Sequence, residues 1–420
     1  IGLVALLGIA GEWSAAFAFP WWRLAAGLLV LALAYEAWST RRRRVAARWL
    51  GGARLPLGRP AALTLELTNG SERPLRVQCA PVLPAALRSG GLAAVRLPPA
   101  GSGSIAVAAR PVLLGEHPWP ALPIRIRGPF GLAWWSRALA VGETLIVVPD
   151  SSGRRAGVSG SASSGGSQQA VIGSGLELEH LRPYRPGDPR RAIDWKATAR
   201  SASLVTRVFS EDQHLEIVLA LDAGRTSRVE VDGMSQLGHY VNVAARFAEY
   251  CIARDDLMGL VVFAAAPLAV LPPARGLPAV TRMRRALAGL EPLAVESDPL
   301  EAAMCVRRLV RRRCLVIVLT DLYERGSEDR LAESVRLLTP YHLPVIVGLT
   351  SGEVDALAAA EARDWLDPYR SLAAAEHKRR IEAGLRRLAR LGALTLAAPA
   401  AELDGKLLDR YRMLRARRRV

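Results

Sequence analysis

Apolar positions follow three different patterns along this chain. From Ile1 to Trp38 the residues are almost all apolar, with charge at Glu12, Arg23 and Glu36, and Pro20-Trp21-Trp22 divides the stretch into halves. Arg41 to Arg44 follow at once. A spanning helix needs about 20 apolar residues, aromatic residues favour the headgroup level, and basic clusters favour the cytoplasmic side. Residues 1–44 are therefore expected to be a transmembrane anchor. Leu24 to Trp38 with its flanks is one helix, and Ile1 to Phe19 is a second, shortened by truncation. The expected location is the cell membrane, with the soluble domains cytoplasmic and membrane lipids among the partners.

Between residues 53 and 150 the period is two. Leu63, Leu65 and Leu67 alternate with Thr64, Glu66 and Thr68, Asn69-Gly70 offers a turn, and Ile105-Val107, Ile124-Ile126 and Leu145-Val147 continue the pattern. No helix-length pattern intervenes, so these residues predict a β-sandwich. Residues 151–174, rich in Gly and Ser, predict a flexible linker without a core.

From Leu215 the pattern changes again. LEIVLALD, LMGLVVFAA, CLVIVLTD and LPVIVGLT are continuous apolar runs, as strands buried on both faces should be, and LTLAAPA at 394 to 400 reads as a fifth. Three- and four-residue spacing predicts helices over Ser235 to Arg254, Leu300 to Val310, Asp329 to Leu338, Glu376 to Leu391 and Leu403 to Leu414. Residues 215–420 are thus expected to form an α/β domain with a doubly wound, mainly parallel sheet. Ligands of such sheets bind at the carboxyl ends of the strands, which points to Asp222 and Asp321, each closing an apolar run.

Composition narrows the chemistry. The chain has 420 residues and a formal net charge of +17, so it should attract lipid headgroups, nucleic acid or acidic protein faces. Cys79, Cys251, Cys305 and Cys314 have no C-x-x-C spacing, which favours reduced core thiols over disulfides. The six histidines show no metal-ligand spacing or nucleophile partner, and no phosphate-cradling or dinucleotide glycine motif is present. Basic clusters at Arg307 to Arg313 and Arg410 to Arg419 raise nucleic-acid binding, but Tyr411 alone is a thin stacking platform. A solvated or membrane-facing surface is favoured over nucleic acid.

Residues 173 to 200, GSGLELEHLRPYRPGDPRRAIDWKATAR, lack any ordinary period and are dense in charge. Tyr184, Pro186 and Gly187 predict a turn, Asp188-Pro189 can start a helix, and Ile193 and Trp195 are apolar anchors among ions. Two readings stay open: a connector stapled by Arg and Asp, or a partner-binding surface. The candidate residues are Tyr184, Gly187, Asp188, Arg190, Ile193, Asp194, Trp195, Thr198 and Arg200.

This run resembles the signature of the domain of unknown function 58 family, roughly G-x-E-F/L-x-x-L-R-x-Y-x-x-G-D-x-x-R-x-I-D-W-x-A/S-S/T-A-R, with its anchors from Gly175 to Arg200. GPFGLAWWSRALAVGETLIVVPD, Gly128 to Asp150, is similar to the same family's DPFGL segment, with Gly128 where Asp is usual. The resemblance implies a membrane-anchored bacterial protein with a von Willebrand factor type A-like domain. Such proteins are often encoded beside a MoxR-type AAA+ ATPase, and the family has no established reaction. Residues 175–214 form its signature segment.

Asp222 and Asp321 also resemble the metal-ion-dependent adhesion site of type A domains, where D-x-S-x-S after one strand and Asp after a later one hold Mg²⁺. In this chain the first motif reads Asp222-Ala-Gly224-Arg-Thr226, and the third loop offers Ser297-Asp298. Asp222, Thr226 and Asp321 are the candidate ligands of a degenerate Mg²⁺ or other divalent-metal site. The competing reading makes the two carboxylates helix caps or partners of arginine. Together these readings lead to a non-enzymatic, membrane-anchored adaptor that binds a MoxR-type ATPase and helps assemble or remodel protein complexes. The alternatives are a metal-dependent hydrolase using Asp222 and Asp321, or a basic nucleic-acid-binding protein.

Overall fold

In the computed structural model, which describes residues 21–80, 82–88, 93–98, 101–151, 177–201, 203–210, 214–322 and 327–416, the chain divides into two units. The first comprises Ile1–Asp150, Arg228–Asn242 and Arg284–Pro292; the second comprises Ser151–Ser227, Val243–Met283 and Leu293–Val420. The expected helix over Ile1 to Phe19, the linker from residue 152 to 174, Gly175 and Arg417 to Arg419 lie outside the described residues.

The first unit begins with helix α1 (Trp21–Arg42) and continues in strands. These are β1 (Val45–Leu50), β2 (Arg54–Pro56), β3 (Ala61–Asn69), β4 (Leu75–Cys79), β5 (Leu87–Arg88) and β6 (Ala93–Leu97), then β7 (Ser102–Pro111), β8 (Gly115–Pro118), β9 (Leu122–Arg127), β10 (Trp134–Leu139) and β11 (Thr144–Val148). They form three sheets ordered β1-β3-β7-β5, β10-β9-β4-β6 and β2-β11-β8. Leu63, Leu65 and Leu67 are fully buried, as are Leu122, Ile124, Ile126, Leu145 and Val147, so alternation turns one face of each strand inward. Truncating one of these leucines to alanine would cost about 2–5 kcal/mol. Strands begin at Val45, before the expected boundary at residue 53.

Helix α1 covers Leu24 to Trp38, the stretch expected to span a membrane. Among the described residues no helix is long and apolar enough to cross a membrane. Its last turns are tied to the turn between β9 and β10: Glu36 is fully buried, and its carboxylate accepts the backbone amides of Phe130 (2.8 Å), Leu132 (3.2 Å) and Ala133 (3.1 Å). Thr40 caps the same turn by donating to Glu36 O at 2.6 Å. Leu24, Leu28, Val30 and Leu31, nearer the start of the helix, are exposed.

The second unit opens with a hairpin of β12 (Glu177–Pro183) and β13 (Val205–Ser210), with helix α2 (Trp195–Ser201) between them. Next come β14 (Glu216–Asp222), the two-residue pair β15 (Glu230–Val231) and β16 (Met234–Ser235) of the first unit, and α3 (Gln236–Ile252), whose residues from Val243 belong to the second. The remaining elements are β17 (Leu257–Phe263), β18 (Pro267–Ala274), α4 (Gly276–Ala288), α5 (Pro299–Leu309), β19 (Leu315–Leu319), α6 (Ser327–Leu338), β20 (Leu343–Thr350), α7 (Gly352–Ala359), α8 (Asp367–Arg390), β21 (Leu394–Pro399) and α9 (Ala400–Ala416).

Six of these strands form one sheet ordered β18-β17-β14-β19-β20-β21. All neighbours are parallel except the edge strand β18, which runs antiparallel to β17. Counted along the chain, the order is 3-2-1-4-5-6, so connections reverse direction between β14 and β19. One buried cluster joins Val218, Val261, Val316 and Ile346 of the sheet to Val306 of α5, Val335 of α6 and Ile381 of α8. Helix α9 is fixed by a buried carboxylate: Asp256 accepts Leu215 N at 2.9 Å, the Tyr411 hydroxyl, and Arg415 Nη1 at 2.7 and 2.8 Å.

Candidate functional site

The reversal between β14 and β19 falls at the carboxyl ends of adjacent parallel strands, the position at which doubly wound sheets bind ligands. Asp222 is the last residue of β14 and is 1% exposed. Leu221 pairs with Leu319, which brings Thr320 level with Asp222, and Asp321 follows, also buried. The two aspartates therefore share one rim of the sheet.

Hydroxyls and one amide hold the Asp222 carboxylate. Oδ1 accepts Gly224 N at 2.9 Å and the Ser297 hydroxyl; Oδ2 accepts Thr320 Oγ1 at 2.6 Å. Ser227 Oγ donates to the backbone oxygen of Asp222 at 2.7 Å, closing the turn that follows. Burial pushes the Asp222 carboxyl above its usual range, opposed by the donors from Ser297, Thr320 and Gly224. Ser297 reaches the site because the segment around it pairs with the turn: Leu293 N donates to Ala223 O and Arg225 N to Val295 O, both at 2.7 Å. Thr320 has no precedent in the sequence reading, although its place before Asp321 was the available signal. Asp298 caps α5 by accepting Leu300 N at 3.1 Å.

Gly224 shows why Ser297 is needed. A Cβ at position 224 would lie 2.0 Å from Ser297 Oγ, so the space of a side chain there is filled by a hydroxyl from a segment 73 residues further along. Thr226 lies on the turn Arg225–Arg228, and its Oγ1 is buried without a hydrogen-bond partner among the described residues. Carboxylate and hydroxyl oxygens with one unsatisfied hydroxyl are a donor set that suits a small hard cation such as Mg²⁺. Asp222, Thr226, Ser297, Thr320 and Asp321 are the residues that would hold one. Among the described residues no three Asp, Glu, His or Cys side chains gather as a metal cluster, so hydroxyls and water would complete the coordination.

The signature segment is built on the β12/β13 hairpin. Gly187 has φ +110, a left-handed conformation that favours glycine, and Tyr184 N donates to Leu204 O at 2.8 Å. Asp188 is buried and accepts Arg182 Nη2 at 2.7 Å, Arg185 N at 3.0 Å and Thr206 Oγ1 at 3.3 Å. The Arg185 amide and Arg182 hold its carboxyl below the usual range. A 3-10 turn, Arg190–Ala192, follows Asp188-Pro189, and the α-helix starts after Asp194, whose Oδ1 accepts the Lys196 and Ala197 amides at 3.0 and 2.9 Å. Those amides and Arg207, 3.2 Å from Oδ2, lower the Asp194 carboxyl. Ile193 is buried and bridges to Thr206, and Thr198 Oγ1 accepts Val205 N at 3.0 Å. Arg190, Trp195 and Arg200 are exposed.

A cysteine and a histidine meet at the opposite rim. Cys314 Sγ and His342 Nδ1 are 3.3 Å apart, both buried, at the amino ends of β19 and β20. Burial pushes the thiol up to about 12 and lowers the imidazole, which leaves a neutral pair instead of an activated thiolate.

Several known proteins share part of this chain. An uncharacterized protein of Mycobacterium tuberculosis is 26% identical over 153 residues, covering 36% of this chain and 48% of that protein. The uncharacterized protein YeaD of Bacillus subtilis is 29% identical over 117 residues, 26% of this chain and 28% of its own length. The chain thus spans about half or less of the curated relatives it matches. Among solved structures, the conserved hypothetical protein BatB from Bacteroides thetaiotaomicron is similar at 15% identity and a TM-score of 0.32, covering 46% of this chain and 98% of that one. Residues 180–349, which carry both the signature hairpin and the Asp222 rim, match the family described as Protein of unknown function DUF58.

Proposed function

We propose that this chain is a non-enzymatic scaffold whose α/β unit, of von Willebrand factor type A-like organisation, presents the carboxyl rim at Asp222 to a protein partner. The observation that carries the reading is the reversal of connections between β14 and β19, beside which a buried, hydroxyl-held carboxylate stands at the strand ends where such sheets take ligands. The antiparallel edge strand β18 and the order 3-2-1-4-5-6 support the type A-like comparison. The donors on Asp222 are an amide and two hydroxyls, and no side-chain base is among them, which favours binding over acid-base chemistry.

The family resemblance makes a MoxR-type AAA+ ATPase the expected partner, with assembly or remodelling of protein complexes as the role. Attachment to a membrane is part of the same proposal. It is supported by the exposed Leu24, Leu28, Val30 and Leu31 of α1 and by the Arg41 to Arg44 cluster beyond them. Asp222, Thr226, Ser297, Thr320 and Asp321 would hold a divalent cation at the rim, and a bound cation would offer a positive centre to a partner carboxylate.

Calorimetric titration of Mg²⁺ and Mn²⁺ into the full chain tests the metal-assisted form. Heat that disappears in Thr226→Ala supports it. No heat from either ion in the parent protein removes the cation from the mechanism and leaves the rim to bind directly.

A further inference from the structure

Between Leu181 and Ser210 the acidic and basic side chains are sorted by direction. The acids in this stretch, Asp188 and Asp194, turn toward the hairpin and are taken by Arg182, Thr206 and Arg207. Arg185, Arg190, Arg191, Lys196 and Arg200 are exposed, and among the described residues none of them has a carboxylate partner. On α2, Lys196 and Arg200 stand four residues apart, a like-charge spacing that weakens a helix by a few tenths of a kcal/mol. Beside them Trp195 is 65% exposed. Folding alone explains the inward half of the segment and leaves the outward half, four arginines, a lysine and a tryptophan, without a structural task.

We propose that this outward face is a docking surface for an acidic segment of a protein partner. The inference rests on the reading of the chain as a protein-binding scaffold and adds the chemistry of what is bound. Charge complementarity selects the occupant. Guanidinium forks pair with carboxylates in two parallel hydrogen bonds, and Trp with Arg is the composition in which interface binding energy concentrates. A second copy of a chain with net charge +17 would be repelled from this face. Single-stranded nucleic acid would need successive aromatic platforms, and this face carries one.

The experiment measures binding of a fluorescein-labelled deca-glutamate peptide to the full chain by fluorescence anisotropy. It compares the parent with Trp195→Ala, Lys196→Glu/Arg200→Glu and, as a charge-matched control, Arg308→Glu/Arg311→Glu on exposed positions elsewhere. All substituted side chains are exposed, so unchanged thermal midpoints are expected. The proposal predicts roughly tenfold weaker binding for the first two variants, about 1.4 kcal/mol each, and a smaller change for the control. Equal weakening by both double variants would overturn it, because binding would then follow net charge. It is also overturned if oligo-dT or phosphatidylserine vesicles depend on Trp195 as strongly as the peptide does. Unchanged partner capture on changing Asp222, with peptide binding still dependent on Trp195, would separate failure of the rim from failure of this surface.

Discussion

At Gly224 the missing side chain is what lets Ser297 reach Asp222, since a Cβ there would lie 2.0 Å from the Ser297 hydroxyl oxygen. Gly224→Ala should therefore lower stability by about 1–3 kcal/mol, the range for overpacking, and Ser297→Gly in the same chain should recover most of it. Chemical denaturation of the two single variants and the double variant measures the coupling; additive losses would contradict the contact. Asp222 makes a second prediction. Its folded-state carboxyl is raised by burial, so the folded state binds a proton more readily than the unfolded chain, and stability is lost as pH rises through the raised value. Asp222→Asn removes that titration. Thermal midpoints across the acid range should show the parent falling relative to the variant as pH rises, and parallel curves would show that burial does not control this group. Of the residues at this rim, Asp222 and Asp321 are legible as acids closing apolar runs. Thr320 and the bonding role of Ser297 are not, because one depends on the register of β14 against β19, with 98 residues between Asp222 and Thr320, and the other on a loop 75 residues from Asp222.

Among elements, α1 is held by a device of the same kind. Gly128 follows β9, and a Cβ there would lie 2.2 Å from the Glu36 carboxyl carbon. The helix thus delivers, from 92 residues upstream, a carboxylate that caps the amides of Phe130, Leu132 and Ala133. Glu36→Ala strands these donors, and with about 1–3 kcal/mol for each unsatisfied buried group a loss near 3 kcal/mol is expected in urea unfolding. Adding Gly128→Asp should restore part of it by returning a carboxylate locally; no restoration would mean that the capped turn does not decide the loss. Periodicity predicted an apolar helix here, but it has no means of detecting that Glu36 is satisfied by a turn so far away in sequence. Edge strand β18 escaped for a different reason: PLAVLPPA carries three prolines, which an edge strand tolerates and a central one does not. In the signature hairpin, Asp188 and Asp194 marked the segment, yet only the capping bonds decide which of them starts the helix.

For the molecule as a whole, the apolar runs LEIVLALD, LMGLVVFAA, CLVIVLTD, LPVIVGLT and LTLAAPA are five strands of the six-stranded sheet, because burial on both faces demands continuous hydrophobicity. Their lateral order is not written in that pattern; it follows from crossovers, and it is the order that creates the rim. The grouping of residues 228–242 and 284–292 with the strand-rich unit was equally hidden, since those residues follow the α/β region's pattern in sequence. The central claim, that the carboxyl rim at Asp222 is where the partner is held, is tested most directly by capture. The parent chain, Asp222→Asn and Thr226→Ala are immobilised, and retention of a MoxR-type AAA+ ATPase, the proposed partner, is measured with and without Mg²⁺. Thr226 Oγ1 has no hydrogen bond to lose among the described residues, so Thr226→Ala should keep its thermal midpoint. The account predicts at least tenfold weaker retention by Asp222→Asn at an equal folded fraction, with Thr226→Ala weakened only when Mg²⁺ is present. Retention by folded Asp222→Asn equal to that of the parent would contradict it.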